Sequence, residues 1–188
     1  MKYPALGKVK TRLASSIGNN ITLEIYKYLV NNTIKATSGF NTELHFYGDL
    51  PKDHNYKGYV CKKQIGDNIG VRMHNSLKSM LKSTESVILI GSDIPNISSE
   101  VIQSAAIKLN QNDLVFGPAK DGGFYLVGLK KANQKLFDLK SWSHKNVLKH
   151  TLDNAKELGL NYTLVNELSD LDTAQDLDHF TELKHRFL

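Results

Sequence analysis

Residues 86–95, Ser-Val-Ile-Leu-Ile-Gly-Ser-Asp-Ile-Pro, hold the strongest structural signal in the chain. Val87, Ile88, Leu89 and Ile90 form an unbroken, largely β-branched run, the pattern of a strand buried on both faces of a parallel sheet. Polar residues begin where the run ends, and Pro95 keeps Ile94 out of helical geometry. Asp93 therefore stands just past the carboxyl end of a buried strand, where open α/β sheets bind their ligands.

Outward from that strand, helical and extended patterns alternate. Toward the N-terminus, Ile69, Met73, Leu77, Met80 and Leu81 recur at helical spacing. Gly58 to Lys63 is a strand candidate, and Leu44 to Tyr47 is another, closed by the turn Gly48-Asp49-Leu50-Pro51. Ile21, Ile25 and Leu29 predict a helix over residues 20–36. Toward the C-terminus, Ser98 is placed to cap a helix carrying Val101, Ile102, Ala105, Ala106 and Leu109 on one face. Strands follow at Leu114 to Phe116 and Phe124 to Leu129, then a helix after Trp142 to about Leu158, a strand at Tyr162 to Val165 and a last helix from Thr173. Alternation of this kind implies βαβ units: a three-layer α/β sandwich around a mostly parallel, doubly wound sheet. With 188 residues and no repeat, low-complexity tract or linker, residues 1–188 read as one domain.

Hydrophobic residues make up 40% of the chain, enough to offset chain entropy by burial, so a folded protein is expected. The formal charge of +5 favours anionic partners, but its lysines are scattered and not interleaved with aromatics. Phosphate-bearing small molecules fit that pattern better than nucleic acid. Cys61 is the lone cysteine, which excludes an intrachain disulfide and a Cys-x-x-Cys pair and suits a reducing cytoplasm. No apolar run approaches the roughly 18 residues needed to span a bilayer. Nothing in the sequence specifies an oligomeric state.

Chemistry concentrates in five places. The opening, Met-Lys-Tyr-Pro-Ala-Leu-Gly-Lys-Val-Lys-Thr-Arg, sets Lys8, Lys10 and Arg12 within five positions after Gly7. Cations around a glycine turn suit a polyphosphate, although Val9 after Lys8 excludes a Walker A loop. Asp93 is a candidate ligand for Mg2+ or Mn2+, ions held by one or two carboxylates together with substrate phosphates. A loop aspartate bonded to its own turn would look the same. Asp170, Asp172 and Asp176 form a second acidic group; Thr173 and Asp176 have capping-box spacing, which explains Asp176 but leaves Asp172 as the second metal candidate. Asp121 precedes the pair Gly122-Gly123, which either admits a ligand's close approach or simply joins two strands. Gly66, Asp67, Gly70 and Arg72 surround a predicted helix start, an anion-binding arrangement or a solvated turn. No histidine has a partner at i+3 or i+4, so a helical zinc pair is absent, as is a Gly-x-Ser-x-Gly elbow.

Six blocks, YPALGKVKTRL, QIGDNIGVRM, LIGSDIPNI, FGPAKDGGFYLVGL, SWS and DLDTAQDL, occur in an order that resembles the bacterial family DUF2064 of the GT-A, or nucleotide-diphospho-sugar transferase, superfamily. The resemblance runs through almost the whole chain. It implies that Gly7, Lys8, Lys10 and Arg12 face an anionic nucleotide. In one respect the chain departs from the family: only Met1 and Lys2 precede Tyr3, where members carry an apolar strand, so the first strand is expected to be missing or truncated and its neighbours' edges exposed.

Three functions fit these residues. The first is a metal-dependent glycosyltransferase acting on a nucleotide sugar, with Asp93 and Asp172 on Mg2+ or Mn2+ and Asp121 as the acceptor base. The second is a nucleotidyltransferase, in which a phosphorylated substrate attacks the α-phosphate of a nucleoside triphosphate. The third is a nucleotide-binding domain without turnover.

Overall fold

The computed structural model describes residues 1–52, 54–142 and 144–188. Ser143, which closes the SWS block, lies outside them. Along the chain run α1 (Thr11–Ile17), α2 (Asn19–Ala36), β1 (Glu43–Phe46), β2 (Val60–Lys63), α3 (Ile69–Met80), β3 (Val87–Ile90), α4 (Ser99–Gln111), β4 (Leu114–Pro118), β5 (Phe124–Leu129), a 3-10 turn (Gln134–Phe137), α5 (Val147–Glu157), β6 (Tyr162–Leu164), α6 (Ala174–Leu177) and α7 (Thr181–Phe187). They form two compact units. One comprises Met1–Lys63, Ser92–Ile97 and Ser169–Leu188, the other Gln64–Gly91 and Ser98–Leu168.

The second unit is built on a four-stranded sheet in the order β3-β5-β4-β6. β5 is antiparallel to both neighbours, whereas β4 and β6 are parallel. Three strands therefore share one direction, as the sequence predicts, and β5 runs against them. The reversal follows from the short link Ala119–Gly123, because a parallel crossover needs a dozen residues or more. At the turn Gly122 takes φ 90°, a left-handed conformation that favours glycine. Helices cover both faces. On one, Leu77 of α3, Leu136, Phe137 and Ala155 of α5 pack with Leu114, Phe116, Val127 and Leu129. On the other, Leu109 of α4 comes so close to Gly128 that a Cβ there would lie 3.3 Å from its Cδ2 and 2.6 Å from Val115 Cγ1. The result is the three-layer α/β arrangement expected.

One detail of the sequence reading is corrected. β3 is an outer strand of this sheet and half-buried along its length, while β4 and β5 are buried at every residue but Pro118 and Phe124. An outer strand has a single neighbour, so an apolar run alone does not make it central.

In the first unit β1 and β2 pair in parallel. Lys2 makes a parallel bridge with Tyr47. The terminal amine of Met1 donates to His45 O at 2.9 Å, and Tyr47 N–H donates to Met1 O at 2.8 Å. Leu13, Ile25, Leu29, Leu171, Leu177, Phe180 and Leu183 form one core of this unit, and Val9, Tyr26 and Val30 a second. α1 is not evident from the sequence. The last predicted helix divides into α6 and α7, since Phe180 between them takes φ −121°, outside helical geometry. No helix among the described residues is long and apolar enough to cross a membrane.

Candidate active site

Within the first unit, three chain segments far apart in sequence bring their charges together. The first is the basic opening. Gly7 takes φ 71° and lets the chain turn after Leu6; a side chain there would have room, so the backbone angle is what calls for glycine. Lys8, in that turn, is exposed and makes no ion pair among the described residues. Val9 then buries itself in the core, and Lys10 stands at the N-cap of α1 with φ 44° and ψ 50°. Among the described residues it alone, glycines aside, has positive φ. That conformation costs a side-chain-bearing residue about 1–2 kcal/mol, so something must hold it.

What holds it is the acidic pair. Lys10 Nζ lies 3.0 Å from Asp93 Oδ1 and 3.5 Å from Asp172 Oδ1, with the lysine side chain only 6% exposed. Arg12, in the first turn of α1, reaches Asp172 Oδ2 at 3.0 Å while remaining 75% exposed. A cation in a helix's first turn opposes the helix dipole, and Asp172 compensates it. The two carboxylates keep 45% and 33% of their surface in water, so the group is accessible to a ligand.

The segments carrying the carboxylates are themselves fixed. Leu171 N–H donates to Asp93 O at 3.0 Å, tying the two acidic segments together. Asn32 of α2 donates from Nδ2 to Pro95 O at 2.8 Å and so anchors the loop after Asp93. Asp176 behaves as the capping-box spacing predicts: its Oδ2 accepts from Thr173 N at 2.7 Å, Thr173 Oγ1 at 2.8 Å and Asp172 N at 3.0 Å. Burial works to raise the Asp176 carboxyl, but the Thr173 hydroxyl, these backbone amides and the Lys10 charge outweigh it, leaving the group below its ordinary value.

Tyr26 adjoins Asp93 and is a neighbour the sequence reading overlooks. Its hydroxyl accepts from Lys2 N at 3.0 Å and donates to Lys2 O at 3.1 Å. Burial first, and the Asp93 charge second, push it up to about 12. Tyr26 and Asn32 lie on the inward face that Ile25 and Leu29 mark in the sequence, and that shared face was the signal available for both.

Asp93 and Asp172 are thus brought to the same lysine ammonium. Hard carboxylate oxygens suit Mg2+ or Mn2+, and the oxygens already converge on one cationic atom, so the donor set fits such an ion. No group of three or more His, Cys, Asp or Glu residues that could hold a metal occurs among the described residues. Phosphate or water would have to complete the shell.

The other candidates lie in the second unit. Asp121 is exposed, and its Oδ1 accepts from Gly123 N at 2.8 Å, which is the bond of a tight turn. Before α3, Gly66 takes φ 138°, Asp67 is exposed, and Asn68 caps the helix by accepting from Val71 N at 3.0 Å. Arg72 NH1 donates to Gly66 O at 3.3 Å. Gly70 is explained by packing: a Cβ would meet Phe137 O at 2.5 Å and Trp142 Cζ2 at 2.6 Å.

Comparison with known proteins adds to this geometry. Residues 32–144 match a family described as uncharacterized protein conserved in bacteria, DUF2064. The chain is 25% identical over 181 residues to the 2-phospho-L-lactate guanylyltransferase of Methanocaldococcus jannaschii, covering 92% of this chain and 76% of that protein. A structure from Desulfovibrio desulfuricans G20, proposed to be a nucleotide-diphospho-sugar transferase, superposes with a TM-score of 0.86 at 29% identity, over 96% of this chain and 83% of the other. The inositol-1-phosphate CTP transferase of T. maritima shares the fold with a TM-score of 0.52 at 15% identity, over 95% and 91% of the two chains.

Proposed function

The chain belongs to the DUF2064 family, with a nucleotide-diphospho-sugar transferase fold, and from that premise we propose that it is a nucleotidyltransferase. In the proposed reaction an oxygen of a phosphorylated acceptor attacks the α-phosphorus of a nucleoside triphosphate. The bond to the β-phosphate breaks and pyrophosphate leaves.

The observation that carries this reading is the similarity to a guanylyltransferase along 92% of the chain, which favours nucleotidyl over glycosyl transfer. The site's chemistry agrees with it. Arg12, exposed and planar, is suited to a bidentate grip on phosphate. Lys10 adds a second cation at its side, and Gly7 and Lys8 shape the turn before them. Asp93 and Asp172 would hold Mg2+ or Mn2+, which when bound neutralises charge on the phosphates. An acceptor phosphate is already ionised at neutral pH, so the nucleophile needs no base. Asp121 then has no proton to remove, consistent with its bond to Gly123 N.

Glycosyl transfer is kept as a second reading because of the likeness to the D. desulfuricans protein. The two separate on their leaving groups. Incubating the chain with Mg2+, the common nucleoside triphosphates and a panel of phosphorylated hydroxy acids and sugar phosphates should release pyrophosphate only when both partners are present. Release of a nucleoside diphosphate from nucleotide sugars, with none of pyrophosphate from triphosphates, would reverse the assignment.

A further inference from the structure

The oxygens assigned to the metal are already in contact with a cation. Lys10 Nζ sits 3.0 Å from Asp93 Oδ1 and 3.5 Å from Asp172 Oδ1, and its side chain is almost wholly buried. It has a left-handed backbone at the N-cap of α1. Asp176, nearby, has its Oδ2 engaged by Asp172 N and by Thr173 N and Oγ1. A divalent ion binds carboxylate oxygen at about 2.0–2.6 Å. An ion on the same oxygens would lie close to the ammonium, and two cations so close repel strongly. An ammonium deprived of its carboxylates while buried is costly unless another anion receives it.

We propose that Lys10 is a tethered counter-ion that exchanges with the divalent metal at Asp93 and Asp172. In the nucleotide-free protein the ammonium holds the two carboxylates; metal entry drives it off them and onto the phosphates of the nucleotide. The inference rests on the reading that these carboxylates hold the metal. It goes further in coupling the two ligands: metal alone binds weakly because it must evict Lys10, and metal with nucleotide binds well because the evicted charge finds a partner.

Titration of the nucleotide-free chain with Mn2+, followed by the loss of the free-ion electron paramagnetic resonance signal, tests the exchange. Lys10→Gln should bind Mn2+ at least about tenfold more tightly than the wild type, since a positive charge beside an incoming dication has been removed. Equal or weaker binding overturns the proposal. A second measurement uses the wild-type chain alone. Acylation of Lys10 by acetic anhydride, read by peptide mass spectrometry, should be slow without metal and severalfold faster at saturating Mn2+. An unchanged or slower rate overturns the proposal equally. Asp93→Asn separates the two levels of the argument. If it abolishes Mn2+-dependent stabilisation by nucleoside triphosphates while Lys10→Gln leaves Mn2+ affinity unchanged, the metal site stands and the exchange falls. If Asp93→Asn and Asp172→Asn both retain that stabilisation, the metal reading falls and takes the exchange with it.

Discussion

Asp176 and Asp172 are four residues apart and do different work, which their hydrogen bonds make plain. Asp176 gives one oxygen to three donors of the α6 cap, whereas Asp172 gives its two to Lys10 and Arg12. Asp176→Asn should therefore cost about 1 kcal/mol of stability at pH 7, the usual loss for a helix cap, while leaving Mn2+ binding unchanged. The native carboxyl lies below its ordinary 3.8. Its contribution is accordingly full above that value and is lost as the pH falls below it toward the lower native value. Urea denaturation of the wild type and Asp176→Asn should thus converge in acid and separate near neutrality. The capping role is legible in the spacing of Thr173 and Asp176, and Asp172 as the second acidic candidate in its position after a predicted strand. The capture of Lys10 is not, because a cation's partner depends on where the chain returns 162 residues later.

Among the elements, β4 and β5 show best how local chemistry sets register. Gly117 pairs with Leu126 and Pro118 with Phe124, so Tyr125 is the extra residue of a bulge. Its ring lies over Gly117, where a Cβ would come within 2.8 Å of Tyr125 Cε1, and its hydroxyl donates to Asn166 O at 2.8 Å. Gly117→Ala should destabilise by about 1–3 kcal/mol through overpacking. In a double-mutant cycle Tyr125→Ala should remove most of that penalty; additive losses would refute the contact. The helices at 19–36 and 69–80 and the strands at 87–90, 114–118 and 124–129 are legible in apolar periodicity. α1 is not, since a seven-residue helix with Lys10 and Arg12 at its start looks like a loop until Asp93 and Asp172 neutralise it. The reversed direction of β5 is likewise hidden, because the apolar pattern of a strand carries no sign.

For the whole molecule, the tyrosines set a limit on the alkaline side. Tyr26, Tyr56 and Tyr125 are each pushed up to about 12, in every case first by burial. Unfolding would return them to about 10, so the stability they contribute is fully present below pH 10 and is lost as the pH rises from there to about 12. The denaturation midpoint should fall steeply over that window, and less so in Tyr125→Phe. The chain's path through its two units has a further consequence, for biosynthesis. The unit that carries Lys10, Asp93 and Asp172 is assembled from Met1–Lys63, Ser92–Ile97 and Ser169–Leu188, with the other unit's residues interleaved between them. In a nascent chain Lys10 emerges before Asp93, and Asp93 before Asp172. The charge cluster therefore cannot close until Asp172 has emerged, and the left-handed turn at Lys10 gains its second carboxylate only then.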